Sequence, residues 1–148
     1  MGKGFDFKLQ KVLDIRIEKE EEKARIFKKA QCEKNEIEEK IKELEESYIK
    51  YSEVTNKETV AYQKIKRIYV QNVSRAIEEK KKELKKKEQE VFFKREDAKK
   101  SQIERKTVEK LKEKEYENFK KEQERLETVF NDEMALYGRI RKLERGWE

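Results

Sequence analysis

Histidine and proline do not occur among the 148 residues, cysteine occurs once, and there are only four glycines. Each gap closes off a kind of chemistry. With no histidine and with Cys32 standing alone, neither a His/Cys metal site nor a Cys-His or Ser-His-Asp nucleophile can be assembled. Neither of the usual glycine-rich phosphate cradles, G-x-x-x-x-G-K followed by Ser or Thr and G-x-G-x-x-G, is present. A single thiol cannot close an internal disulfide, in keeping with a reducing cytosol. The longest apolar run is four residues, Met134 to Tyr137, against the roughly 20 that a membrane-spanning helix needs. The opening residues also lack the apolar core of a signal peptide, so the expectation is a soluble chain not secreted by that route.

What the chain does have is charge. Half of its residues are Asp, Glu, Lys or Arg and 34% are hydrophobic, too few for an ordinary globular core. Such a composition can mean disorder, yet Glu and Lys favour helix and the apolar residues recur at regular intervals, which predicts long helices. The signs are interleaved, 40 basic against 34 acidic for a net charge of +6, as expected of a solvated helical surface. Glu precedes Lys by four residues at Glu36–Lys40, Glu38–Lys42, Glu46–Lys50, Glu78–Lys82, Glu83–Lys87, Glu90–Lys94 and Glu117–Lys121, each pair worth roughly 0.2–0.5 kcal/mol on an exposed helix. The most basic stretch, KKKELKKKEQE from Lys80 to Glu90, reads either as more of that surface or as a contact for anionic lipid or an acidic protein. No nucleic-acid-binding module is visible, and Glu interrupts the basic cluster, so no nucleic acid is expected as a partner. The carboxylates sit on helices that offer no pocket to shift their pKa values, so no enzyme activity, cofactor or metal is expected.

A second feature is the opening FDFKLQKVLDIR, Phe5 to Arg16, an apolar tip on a mostly polar chain. Taken from Leu9, a 3-4 spacing gathers Leu9, Val12, Ile26, Ala30, Ile37, Leu44, Tyr51 and Val54. Beside it runs a second stripe of Leu13, Ile17, Ala24, Phe27, Ile41 and Tyr48, so this helix meets more than one neighbour, or one neighbour and a transient partner. From Val73 the spacing continues through Ile77, Leu84, Val91, Ala98 and Val108 to Phe119, Leu126, Leu143 and Trp147, with Lys80, Lys87, Lys94, Arg105 and Lys112 at other seam positions. Between the halves, SEVTNKETV clusters β-branched residues around Asn56, and Thr55 with Glu58 reads as a capping box that starts a second helix.

The fold expected is therefore all-α, an antiparallel two-helix coiled coil forming one domain over 1–148, with helix one over about 5–54, the turn over about 55–59 and helix two over about 60–145. The competing arrangement is one uninterrupted helix of about 200 Å. A shift in heptad phase at the capping box favours the hairpin. Reversal near residue 57 makes the arms unequal, so the second overhangs by roughly 50 Å, starting near residue 110. The overhang carries Phe119, Leu126, Val129, Phe130, Met134, Leu136, Tyr137, Ile140, Leu143 and Trp147, the richest apolar stripe in the chain. Either a partner covers it, or it folds back at Gly138 or pairs with itself in a dimer.

The opening pattern Phe5-x-Phe7-x-Leu9-x-x-Val12-Leu13-x-x-Arg16, the chain length, the capped break after the mid-fifties and the long charged second helix together resemble the FliJ family, small coiled-coil components of the bacterial flagellar type III export apparatus. The resemblance implies a hairpin similar to the paired terminal helices of the rotary-ATPase γ subunit, cytoplasmic and at the inner face of the cell membrane. It implies a non-enzymatic adaptor that inserts the end bearing both termini into the hexameric export ATPase, contacts the cytoplasmic domain of the export gate and handles export chaperones, with peripheral rather than integral membrane association. Carried onto this sequence, the ATPase-ring contact falls on Phe5, Phe7, Leu9, Val12, Leu13, Arg16, Leu136, Ile140 and Leu143. The export-gate contact falls on Ile37, Ile41, Leu44, Tyr48, Tyr69, Val73, Ala76 and Lys80. Ile37, Leu44 and Val73 also fit the seam, whereas Ile41, Tyr48 and Tyr69 lie off it. Such a stalk is expected to be a monomer or weak dimer; the alternative, a structural homodimeric scaffold without an ATPase partner, would be a stable dimer.

Overall fold

The computed structural model describes residues 3–146. Two α-helices make up most of it, α1 over Gln10–Ser52 and α2 over Val60–Arg145, and no strand occurs among the described residues. The chain is an all-α helical hairpin whose second helix, at 86 residues, is twice as long as the first at 43. It groups into two compact units, one formed by Glu18–Gln102 and the other by the chain up to Ile17 together with the chain from Ile103 onward.

In the Glu18–Gln102 unit the helices pair antiparallel: Glu33 meets Lys87, Glu45 meets Lys81 at 3.7 Å, and the rings of Tyr51 and Tyr69 meet edge to face with centroids 5.0 Å apart. Along α2, Val70, Val73, Ile77, Leu84, Val91, Ala98 and Ser101 turn inward, in alternating three- and four-residue steps with Lys80, Lys87 and Lys94 between them. The spacing expected from Val73 therefore describes the packed face. On α1 the outcome differs. Ala30, Ile37 and Ile41 are buried, and Phe27, Leu44 and Tyr51 are half-buried. The packed face takes residues from both stripes in the sequence, and Ile41, expected off the seam, lies in it.

The seam lysines lay their methylene stems along the interface and keep their ammonium groups at its rim. Lys87 bonds Glu33 across the interface and Glu90 on its own helix at 3.0 Å, while Glu83 takes Lys80 at 3.0 Å. The expected Glu83–Lys87 and Glu90–Lys94 pairs are thus replaced by three-residue pairs within α2, Lys80–Glu83 and Lys87–Glu90, and by the Lys87–Glu33 pair across the interface. Ser101, buried on the seam, donates its hydroxyl to the Asp97 carbonyl at 3.0 Å and is satisfied within its helix.

The turn differs from the sequence expectation in its cap. The Thr59 hydroxyl, not that of Thr55, accepts the Tyr62 amide at 3.4 Å and caps α2. Thr55 supplies its carbonyl to the Glu58 amide at 3.2 Å in a tight turn. Glu58 is thereby freed to bind Lys66, which also donates to the Glu53 carbonyl at 3.4 Å and lies 5.1 Å from the centre of the Tyr62 ring. One lysine from the second turn of α2 thus ties both sides of the connection.

In the other unit, α1 begins at Gln10, five residues later than the expected start, and the residues before it are not helical. The reason is the spacing Phe5-x-Phe7: in an extended segment alternate side chains share a face, so both rings turn toward α2. Phe7 packs with Leu13 and Val108 in a buried cluster, with Phe5 and Ile17 at its edge. Phe5 reaches further, meeting Tyr116 with centroids 5.2 Å apart and Phe119 at 5.5 Å. Lys112 donates to the Gln10 side-chain oxygen at 2.7 Å. Phe119 therefore has a mate, and the overhang starts after it rather than near residue 110. From Phe119 to Arg145 α2 extends roughly 40 Å and passes Gly138 without a break, so the fold-back is not adopted. Trp147 lies outside the described residues.

The Lys87 hydrogen bond, together with the charge of that lysine, holds the Glu33 carboxyl below its ordinary pKa. A carboxyl depressed in the fold contributes stability that is present above its unfolded pKa and lost as pH falls through the folded one. Urea denaturation followed by circular dichroism should show wild type more stable than Glu33→Gln at neutral pH, the gap closing as pH drops from about 7 to about 3.

Candidate functional site

No group of three or more Asp, Glu, Cys or His side chains among the described residues is placed to hold a metal, and no helix there is long and apolar enough to cross a membrane. What the structure presents instead is surface, in two places. The first is the unit containing the N-terminal segment and the far part of α2. Of the residues carried over as a ring contact, Phe7 (5% exposed) and Leu13 (4%) form the local core and are closed to a partner. Phe5 is half-buried against Tyr116 and Phe119, and Arg16, also half-buried, donates through Nη1 to the Glu104 carbonyl at 2.8 Å. These four hold the N-terminal segment on α2. Leu9 and Val12 are exposed, as is Ile15 beside them, which the family pattern did not single out.

Leu136, Ile140 and Leu143 are exposed and belong to a longer stripe that starts at Leu126 and Val129. The stripe continues the three- and four-residue steps of the packed part of α2, and it faces no helix. Glu122 and Arg125 pair at 2.6 Å near its start. The geometry is that of half a coiled coil, complete in one helix and waiting for the other.

The second place is the turn-proximal part of the Glu18–Gln102 unit. Of the eight residues carried over as a gate contact, Ile37, Ile41 and Val73 are core, and Leu44, Ala76 and Lys80 are half-buried. Only Tyr48 and Tyr69 are exposed, and Tyr69 also rests on Tyr51. Sequence reasoning missed the exposed Ile49, Ile65 and Ile68 and the neighbouring pair Phe92 and Phe93, whose rings stand 5.8 Å apart. Their signal was available for the α2 residues: Ile65, Ile68, Phe92 and Phe93 each fall off the seam that Val73, Ile77 and Leu84 define.

Fold and surface together define a helical-hairpin coiled-coil protein with exposed apolar faces on both of its units. The chain belongs to the FliJ family: the model of that family, described as flagellar FliJ protein, matches residues 5–144. This is a non-catalytic family of flagellar export. No curated protein and no solved structure matches the chain.

The division between anchoring and accessible residues at the N-terminal end has a direct test. Leu13→Ala should lower unfolding stability by about 2–5 kcal/mol, the cost of emptying a packed leucine site. Leu9→Ser and Val12→Ser, at exposed positions, should each change it by less than about 1 kcal/mol in the same denaturation measurement.

Proposed function

We propose that the chain is a central-stalk adaptor of flagellar export, inserting the end that bears Leu9, Val12 and the α2 overhang into the hexameric export ATPase. The observation that carries this reading is the exposed heptad stripe from Leu126 to Leu143. Each side chain buried there contributes roughly 1.5–3 kcal/mol, and a ring pore lined by helices or loops would bury several at once. The N-terminal contribution falls to Leu9, Val12 and Ile15, while Phe5, Phe7, Leu13 and Arg16 act by fixing the segment that presents them. On the turn-proximal side, Tyr48 and Tyr69 are the residues that can meet the cytoplasmic domain of the export gate directly, whereas Ile37, Ile41 and Val73 belong to the packed seam of the same unit. Handling of export chaperones and a position in the cytoplasm at the inner face of the membrane belong to the same reading, supported by family membership.

Ring insertion is tested by the triple variant Leu136→Ser, Ile140→Ser, Leu143→Ser in an ATPase assay with the hexamer. Stimulation should require at least about tenfold more protein, with helicity unchanged by circular dichroism. Full stimulation by a folded triple variant would reject insertion, and a stable wild-type dimer in light scattering, lost in the variant, would favour the scaffold alternative.

For the gate, Tyr48→Ala should weaken capture by the gate domain while thermal unfolding stays close to wild type. Tyr69→Ala should weaken capture as well and add a stability cost of about 0.5–1.5 kcal/mol, since it also removes the ring contact with Tyr51.

A further inference from the structure

The stripe from Leu126 to Leu143 carries a pattern that the ring reading does not use. Its seam positions, Leu126, Val129, Glu133, Leu136, Ile140 and Leu143, follow strict steps of three and four residues, and at 3.6 residues per turn they fall within an arc of about 100°. The five apolar ones are exposed. Charge is divided along the same stretch: residues 124–134 hold four acidic side chains and one basic, and residues 135–145 hold four basic and one acidic. The two halves match in length and oppose in sign, so the stretch is complementary to its own reverse.

Reversal about the point between Met134 and Ala135 sets Leu126 of one copy against Leu143 of another and Val129 against Ile140, the layers of an antiparallel coiled coil. At the flanks Asp132 comes beside Arg139 and Phe130 beside Tyr137, and two-fold symmetry forms each pair twice. Glu133 falls against Leu136 at the centre, next to the same arginine. Among the described residues Asp132 and Arg139 have no ion-pair partner, and Phe130 and Tyr137 are exposed. A parallel pair would instead lay acidic half on acidic half and basic on basic, where like charges repel. The helix α2 ends at Arg145, which falls opposite Glu124, so the second copy stops short of Phe119 and leaves its contact with Phe5 undisturbed.

We propose that the free overhang is covered by the overhang of a second copy, paired antiparallel in this register, and that the pairing is reversible. With five apolar seam residues per copy and Glu133 among them, the seam is short and interrupted, so another partner can displace it. One stripe cannot serve a second copy and an ATPase ring at once, and self-pairing therefore competes with ring insertion. That consequence rests on the ring reading, whereas the pairing itself does not.

The test is analytical ultracentrifugation of the full chain from about 1 to about 100 μM, over which wild type should pass from mostly monomer to mostly dimer. Asp132→Arg and Arg139→Asp, each made alone, should raise the dissociation constant at least about tenfold, and the two together should return it to within about threefold of wild type. Circular dichroism checks that the helices persist. Orientation is read in a Cys32→Ser background with an added oxidant: Leu126→Cys mixed with Leu143→Cys should form a disulfide between copies, and Leu126→Cys alone should not. The proposal is overturned by a chain that stays monomeric throughout, by folded single variants that dimerise as well as wild type, by a double variant that does not recover, or by Leu126→Cys joining to itself. A dimer that persists at about 10 nM overturns reversibility and favours the scaffold alternative. A chain that never dimerises yet stimulates the ATPase retains the ring reading without this one, and a chain that pairs in this register without stimulating retains this one without the ring.

Discussion

The seam between α1 and α2 is built from small or medium apolar residues alternating with lysine stems, and the rest of the molecule follows from how little that seam can hold. Only seven hydrophobic residues are buried among those described, and no side chain is completely enclosed. A helix pair buries one stripe on each member, so a lysine at a seam position serves as much by its four methylenes as by its charge. Lys87 illustrates both uses, its stem in the interface and its ammonium group shared between Glu33 and Glu90. Stability is spread thinly along the length, without a dominant core.

A second consequence is that apolar residues beyond the seam have nowhere to go within the chain. They gather in separate regions, the far part of α2 and the turn-proximal end, and each has a different pattern. Along α2 the exposed side chains keep the heptad and suit another helix or a shaped pore. Around the turn Val60, Ile65 and Ile68 fall on one side of α2 and are mixed with tyrosine and lysine. The arrangement of exposed residues, more than their number, distinguishes the kinds of surface they can meet.

Much of this was legible in the sequence, for reasons that differ along the chain. The packed face of α2 could be read directly, since one unbroken series of three- and four-residue steps includes both its apolar residues and its lysines. The face of α1 could not, because two apolar stripes lie side by side and only the opposing helix decides between Leu9 and Leu13, or takes Ile41 from the second stripe and leaves Tyr48 out. Two threonines four residues apart, Thr55 and Thr59, both look like caps, and the choice depends on where Lys66 draws Glu58. The overhang was anticipated but began too early, because Phe5-x-Phe7 was taken for helix when its two-residue period is that of an extended segment. Of the candidate contacts, the sequence located the right regions but mixed supporting residues with accessible ones, a distinction that becomes visible once Leu13, Ile41 and Val73 are seen to be buried.

The clasp of Phe5 on Tyr116 and Phe119 joins residues more than a hundred positions apart in sequence, whereas Lys66 and Glu58 are eight apart. Closing the larger span costs more chain entropy, and its aromatic contacts lie at the edge of a small cluster. The hairpin is thus expected to zip from the turn and to breathe at the clasp, in local openings that leave the remainder folded. On that expectation, a partner that grips α2 beyond Phe119 would meet a strap able to rearrange without unfolding the coil.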